Sequence, residues 1–167
     1  MPIKPQNFWN FSLNLYSRED VADACLQLQE EYQLDVNLIL FCYWYGSRFG
    51  VIEAKLLSQV IDFSLQWRSH VVQPLRNTRN WLKLNEEDSE QIRELRERIK
   101  AGELAAEKHQ QDRIAEFVSD SNNSSEEQAG RQACDKNIDK LLQGVALERD
   151  SKIAALLATV SSAHQQN

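Results

Sequence analysis

The segment from residue 68 to residue 83 has the residue types that most suggest chemistry, because it is basic and contains no acidic side chain. Three of its cations are spaced three and four positions apart, so they share one face of a helix. A tryptophan within the segment can stack on a nucleic-acid base or on a guanidinium. The residues of this basic face are Arg68, Arg76, Arg79, Lys83 and Trp81.

Two interpretations of the basic face stay open at this point. As a docking surface it would bind phosphate, RNA or an acidic protein. As a solvated face it would only balance acidic residues elsewhere in the chain, and the acidic run at residues 86–97 is one such intramolecular partner. The docking interpretation predicts that Arg76, Arg79 and Lys83 are exposed and unpaired.

A second candidate site combines polar residues near the ends of the most apolar helices with aromatic side chains. A small-ligand pocket needs apolar walls and a few polar groups. Six residues fit that description, namely Trp9, Asn37, Tyr43, Trp44, Arg48 and Glu53. Structural roles compete with this interpretation, because Asp35 is a good helix cap and Glu53 would favour a helix dipole. A ligand pocket predicts an aromatic-lined cavity that holds a buried charge without a protein partner.

Motifs of common enzymes are absent from the sequence. It has no glycine-rich phosphate loop, no G-x-S-x-G, no H-E-x-x-H and no paired C-x-x-C. The three histidines, His70, His109 and His164, are isolated from one another. We therefore expect no catalytic residue, no metal site and no cofactor, although groups distant in sequence can still converge in a fold.

Composition indicates an ordinary globular protein. The chain has 167 residues with net charge −6, 42% hydrophobic and 26% charged residues. The acidic balance argues against general coating of nucleic acid. No secretory signal and no apolar run of membrane-spanning length is visible. The odd number of separated cysteines (Cys25, Cys42 and Cys134) favours reduced thiols, so we expect a cytoplasmic protein.

The two halves of the chain differ in composition. Residues 1–83 are electrically neutral and contain every Trp and Tyr and five of the six Phe, whereas residues 84–167 supply the whole net charge of −6. Because aromatic side chains dominate core energetics, we expect an aromatic-cored domain at 1–83. A long charged helix at 84–118, a polar linker at 119–125 and a C-terminal helical segment at 126–167 would follow. The alternative is that the second half wraps back and completes one bundle.

Hydrophobic periodicity predicts an all-α fold, because no segment alternates with period two long enough to be a strand. Ser17 is the predicted cap of a second helix, and Asp35 that of a third, central helix ending at Gly46. Pro74 is expected to kink the next helix or to start a new one. The charged helices after residue 84 should form a hairpin or an extended arm, and the last is expected to continue as one helix to about residue 160.

Three motifs support a resemblance. They read FWxFSxxLY at residues 8–16, DVNLxLF at 35–41 and WRxxVVxPLR at 67–76. In these the chain resembles a family of small uncharacterised proteobacterial proteins, over most of residues 8–83. The resemblance implies a helical, bacterial, cytoplasmic protein and transfers no catalytic residue.

The first functional hypothesis is a non-enzymatic interaction module. Its basic face or its acidic helices would dock a protein partner or an RNA-containing assembly, and its C-terminal helices would allow homo-oligomers. The alternative is a binder or enzyme for a small apolar or anionic ligand, held in an aromatic-lined helical pocket.

Overall fold

The computed structural model describes residues 4–121 and 128–165, and those residues are helical throughout except for caps and connections. The predicted all-α class is confirmed. Within the described residues no helix combines the length and apolarity needed to cross a membrane. The helices are α1 (Pro5–Tyr16), α2 (Glu19–Tyr32), α3 (Val36–Arg48), α4 (Ala54–Trp67), a π-helical turn (Arg68–Val72), α5 (Gln73–Asn85), α6 (Glu90–Asp120), α7 (Arg131–Gly144) and α8 (Ser151–Gln165).

The centre of the fold is α3, as its all-round apolarity predicted. Every residue from 37 to 46 is buried. Asp35 caps the helix through Oδ1, which accepts from the Asn37 backbone N–H at 2.9 Å. A helix that is apolar on all sides must be covered on all sides, and α1, α2, α4, α6 and α7 supply that cover.

Both halves of the chain contribute to one hydrophobic core. Alongside the aromatic cluster of the first half, the core contains Ile114, Ile138, Leu141, Ile153 and Val160, each at most 1% exposed. In this arrangement α7 packs along α3 and α8 along α2. This shared core corresponds to the alternative in which the second half wraps back, and the division into a domain at 1–83 with following segments at 84–118, 119–125 and 126–167 stays a prediction. The buried residues of α3 are covered in part by α6 and α7 of the second half.

The part of the second half that does project is short. The first third of α6 is largely exposed and runs beside α5, in which none of the thirteen described residues is buried. These two helices make a peripheral hairpin, a different pairing from the predicted hairpin of the helices after residue 84, and α6 packs into the core from Glu103 onward.

Several helix boundaries differ from the sequence-based expectation. By side-chain type Asn85 would be the predicted cap of the long charged helix, but the cap of α6 is Ser89, whose Oγ accepts from the Ile92 N–H at 3.2 Å, and Asn85 is the last residue of α5. Arg18, not Ser17, is the N-cap of α2, and the Ser17 hydroxyl donates to Asn14 O.

The end of the chain also departs from the expected pattern. The predicted final helix divides after Gly144, and Asp150 Oδ1 accepts from the Ile153 N–H at 2.7 Å to start α8. Of the expected polar linker, 119–120 still belongs to α6. Residues 122–125, with the capping box predicted at Ser124–Glu127, lie outside the described residues.

Gly46 has a different role from the predicted helix end, since α3 continues to Arg48. A Cβ at Gly46 would lie 2.7 Å from both Cα and N of Cys134. The missing side chain lets α7 approach α3 closely, and the Gly130 N–H donates to Gly46 O at 2.9 Å at the same contact. Packing of two backbones, not a left-handed turn, therefore requires this glycine.

Candidate functional site

A cavity of about 720 Å³ lies between α1, α2, the start of α3, the π-turn, α5 and α6. It brings together members of both candidate sites. Arg68, Arg76 and Arg79 of the basic face line it, as do Trp9 and Asn37 of the predicted pocket. Residues up to about a hundred positions apart thus converge on one concave surface.

The π-turn sets the position of Arg68 in this cavity. Pro74 has no N–H, and its ring is incompatible with the carbonyl of the residue four positions earlier at α-helical spacing. The backbone widens instead, and the Gln73 N–H donates to Arg68 O, five residues back. Single π-turns within helices are frequent at functional sites. The expected kink at Pro74 is thus a widened turn that carries Arg68 and Val72 to the cavity wall.

Arg68 is half-buried and donates from Nη1 to Gln33 O, at the left-handed C-cap of α2. It forms no ion pair with any described side chain. Burial lowers the pKa of Arg68; Asp35 opposes this shift and Arg76 adds to it. Arg68 is therefore a guanidinium at the cavity without a carboxylate contact.

The other two arginines are engaged inside the protein. Arg79 binds both oxygens of Glu103, with Nε to Oε1 at 2.5 Å and Nη2 to Oε2 at 3.2 Å. Arg76 donates from Nη2 to Glu107 Oε1 at 3.0 Å and has Nε 3.8 Å from Glu103 Oε2. The hydrogen bond to Glu103 raises the pKa of Arg79 against the effect of its burial. Fork-shaped pairs of this kind are the strong, directional ones.

The unpaired basic face expected for docking is therefore not present at Arg76 and Arg79. The reason is the antiparallel hairpin, in which the middle of α6 returns beside α5 and places Glu103 and Glu107 opposite the arginines. From the acidic run at 86–97, Glu97 interacts with Arg79 only electrostatically, and the contact partners of the two arginines among the described residues are Glu103 and Glu107. Trp81 and Lys83 remain exposed on α5 and do not line the cavity; Trp81 is 55% exposed.

The floor of the cavity is a line of buried polar side chains. Gln110 Nε2 donates to Asp35 Oδ2, Asn37 Nδ2 donates to Gln110 Oε1, and Gln111 Nε2 donates to Asn37 Oδ1, each at 2.8 Å. All four residues are buried, and they join the cap of α3 to the middle of α6. We call this the amide relay.

Two polar atoms at the cavity have no partner within the described part of the chain. They are Gln111 Oε1 and Ser12 Oγ, on side chains that are 2% and 3% exposed. An unsatisfied buried polar group costs about 1–3 kcal/mol. Their presence beside a cavity is the arrangement expected where a ligand completes the hydrogen bonding.

Burial also governs the acids of the site. It raises the pKa of Asp35, while hydrogen bonds from Gln110 and from the Asn37 backbone lower it. Burial likewise raises the pKa of Glu107; Arg76 opposes this shift, and Asp35 and Glu103 reinforce it. These carboxyl groups hold their protons to higher pH than exposed ones, a property that is typical of functional clefts.

The remaining four residues of the predicted pocket do not line the cavity. Tyr43 and Trp44 belong to the core, where the Tyr43 hydroxyl donates to Leu157 O at 3.2 Å and Trp44 stacks on Phe8. Arg48 lines a separate hollow of about 320 Å³, and Glu53 is the exposed N-cap of α4. Their aromatic and polar types were right for a pocket, but α3 buries its aromatic residues against other helices.

Sequence reasoning missed the α6 residues that build the site. Glu103, Ala106, Gln110 and Ile114 share one helical stripe, and all are buried. Polar residues on the same stripe as core positions were the available signal. Among the described residues, no three His, Cys, Asp or Glu side chains converge as metal ligands. The three cysteines are free and buried in the core, and burial raises the pKa of Cys134 to about 11.

A model of one protein family matches residues 7–114, about two thirds of the chain. The chain belongs to this family. Its description is "Protein of unknown function (DUF2390)". The DUF2390 segment contains every residue that lines the larger cavity, whereas α7 and α8 lie beyond it. No curated protein and no solved structure matches the chain. The predicted resemblance to an uncharacterised family is thereby confirmed at the level of family membership.

Proposed function

We propose that the protein binds a small molecule in the cavity between α1, α3, α5 and α6. The observation that carries the proposal is a cavity of about 720 Å³ whose floor holds buried polar atoms without partners. Its volume lies in the range of small-molecule sites, roughly 300–1,000 Å³. Leu13, Leu26 and Leu104 add apolar surface from three helices, and each is at least 40% exposed.

The pairing of the arginines supports ligand binding over docking through the basic face. Arg76 and Arg79 already hold carboxylates, so binding phosphate or RNA there would first break those contacts. The ligand hypothesis asked for a buried charge without a protein partner. Asp35 meets this only in part: it is 8% exposed and no counter-ion contacts it within the described chain, but its oxygens accept from the Asn37 backbone N–H and from Gln110 Nε2.

Two alanines of α6 provide the test. Ala101 and Ala105 are both exposed, but only Ala101 lines the cavity. We expect Ala101→Trp to fill part of the cavity and to abolish the ligand-induced thermal shift, and Ala105→Trp to leave it unchanged. The screen uses apolar compounds with neutral, cationic and anionic groups, read by thermal shift and ligand-observed NMR. A flat response of the wild-type protein to the whole set contradicts the proposal.

Docking of a protein partner remains a second candidate, favoured by a different observation. Trp81 and Leu84 expose 55% and 81% of their surface at the end of α5, next to Lys83. Large exposed apolar side chains are enriched at interfaces. We expect Trp81→Ser to reduce recovery of a co-purifying protein or self-association in sedimentation, and Trp67→Phe, inside the fold, to leave both unchanged.

A bacterial and cytoplasmic setting belongs to this proposal. The free buried cysteines support a reducing compartment.

A further inference from the structure

The amide relay has a direction that is set at Asp35. Both carboxylate oxygens of Asp35 accept hydrogen bonds, one from the Asn37 backbone and one from Gln110 Nε2. Because both oxygens accept, the carboxyl is in its ionised form, which can only accept, so Gln110 presents its NH₂ group to Asp35. The oxygen of Gln110 must then face Asn37. Burial raises the pKa of Asp35, so this direction of the relay holds at pH values above that raised pKa.

The same logic fixes every later member of the relay. Asn37 must offer its NH₂ group to Gln110 Oε1, so its own oxygen faces Gln111. Gln111 must offer its NH₂ group to Asn37 Oδ1. The oxygen of Gln111 is then the free end of the line, and it is the buried atom without a partner. The charge of Asp35 thus makes the cavity end of the relay an acceptor.

We propose that the ligand of this cavity is a small molecule with an apolar body and an N–H or O–H donor, such as an amine or primary amide, that hydrogen-bonds Gln111 Oε1. This inference rests on the proposed function, because it assigns the chemistry of the same site. An acceptor placed at that oxygen would leave both groups desolvated and unpaired.

Charged groups of both signs surround the relay. Asp35 interacts electrostatically with Arg68 of the π-turn, Arg76 of α5 and Glu107 of α6. Arg76 is already paired with Glu107 and lies close to Glu103, whereas Arg68 contacts no carboxylate of the described residues. Charge alone therefore does not select a donor, and the selection depends on the acceptor Gln111 Oε1.

The inner apolar wall indicates the rest of the ligand. Leu40 and Val72 line the cavity within the fold and are each 3% exposed. Leucines of α1, α2 and α6 form the exposed rim, as described above. An apolar body of one or two rings would bury its surface against them at about 25 cal/mol per Å².

Four compounds that share a naphthyl body separate donors from acceptors. They are 1-naphthylmethylamine, 1-naphthaleneacetamide, methyl 1-naphthaleneacetate and 1-naphthaleneacetate. We expect the amine and the amide to bind the full-length protein at least about tenfold more tightly than the ester and the carboxylate by titration calorimetry, the loss typical of an unpaired buried group.

Asp35→Asn is the decisive variant, because an asparagine still caps α3 through its oxygen but offers an NH₂ group to Gln110. Every amide of the relay then reverses, and Gln111 presents a donor to the cavity. We expect the preference to invert toward the ester and the carboxylate. Asp62→Asn, on the exposed side of α4, is the control and should keep the wild-type order. If Asp35→Asn does not fold by circular dichroism, Gln111→Met replaces it and should erase the preference.

The outcomes separate the two proposals. Equal binding of all four compounds, or tightest binding of the carboxylate, overturns the donor inference and leaves ligand binding in the cavity standing. Binding with the expected order that Asp35→Asn leaves unchanged also overturns the inference. Binding of none of the four up to millimolar concentration, together with a flat screen, overturns the proposed function and the inference with it.

Discussion

Arg79 holds both carboxylate oxygens of Glu103, and this fork joins α5 to α6 at the cavity wall. Because Glu103 is 6% exposed, its hydrogen bonds are shielded from water. Arg76 Nε lies 3.8 Å from the same carboxylate, so Glu103 engages two cations of the basic face.

Loss of this carboxylate should loosen the hairpin. Glu103→Gln removes the charge that Arg79 and Arg76 share, and we expect the free energy of unfolding to fall by about 1–3 kcal/mol, as for other charge-assisted hydrogen bonds. Glu94→Gln is the control, because its contact with Arg98 is exposed; we expect a change within about 0.5 kcal/mol. Urea unfolding followed by tryptophan fluorescence measures both, and equal effects would contradict the assignment.

The pH dependence of stability should reveal the half-buried carboxyl of Glu107. Its pKa in the folded protein is raised, chiefly by burial. Between the ordinary carboxyl value of about 4.3 and this raised value, the folded state binds more protons than the unfolded state. The contribution of Glu107 to stability is therefore fully present below the ordinary value and is lost as pH rises through the folded pKa.

Glu107→Gln removes this titration. Relative to the variant, the wild-type protein should lose unfolding free energy as pH rises from about 4.3. The readout is the slope of urea-unfolding free energy against pH, which separates titration from the pH-independent cost of the lost contact with Arg76. Glu116→Gln, at an exposed position of α6, supplies the comparison. A Glu107→Gln slope identical to that of the wild type would refute the raised pKa.

Two glycines should respond oppositely to alanine. At Gly46 the new methyl group would meet the Cys134 backbone at 2.7 Å, so α3 and α7 would have to separate. We expect Gly46→Ala to lower the unfolding free energy by about 1–3 kcal/mol. At Gly102, inside α6, the nearest atom to a new methyl is Leu75 Cδ1 at 4.0 Å. Gly102→Ala should therefore raise the unfolding free energy by roughly 0.5–1 kcal/mol. Thermal denaturation should show a lower melting temperature for Gly46→Ala and a higher one for Gly102→Ala.

Truncation after Ser121 tests whether the aromatic-rich first half, together with α6, folds without α7 and α8. Without α7 and α8, α3 loses the partner seated on Gly46, and Ile52 N–H and Gly50 O lose their bonds to the Asn137 side chain. We expect a fragment with helical far-ultraviolet but weakened near-ultraviolet circular dichroism. A cooperative transition at the wild-type temperature would restore the two-domain interpretation.

The sequence was a good guide wherever one helix alone determined the outcome. The cap at Asp35 and the buried α3 follow from periodicity and local chemistry. Side-chain type also placed Trp9, Asn37 and Arg68 among the site residues, and these do meet at the cavity.

Contacts between helices that are distant in the sequence could not be predicted from local sequence patterns. The spacing of Arg76 and Arg79 does not indicate that α6 packs beside α5 and places Glu103 in contact with both arginines. Gln110 and Gln111 look like ordinary polar residues of a charged helix until α3 is packed against them. The aromatic content of the first half likewise did not indicate that α7 and α8 cover part of its apolar surface.

The π-turn before α5 also sets the rotation of everything that follows it. Such a turn contains one residue more than the α-helix it interrupts, and each residue of an α-helix advances about 100° around the axis. Deleting one residue from Arg68–Val72 would restore continuous α-helical winding and turn Arg76 and Arg79 away from α6 by that angle. The number of residues between Trp67 and Pro74 therefore determines which side of α5 faces α6. Deleting one residue there would disturb the cavity more than most side-chain substitutions in it.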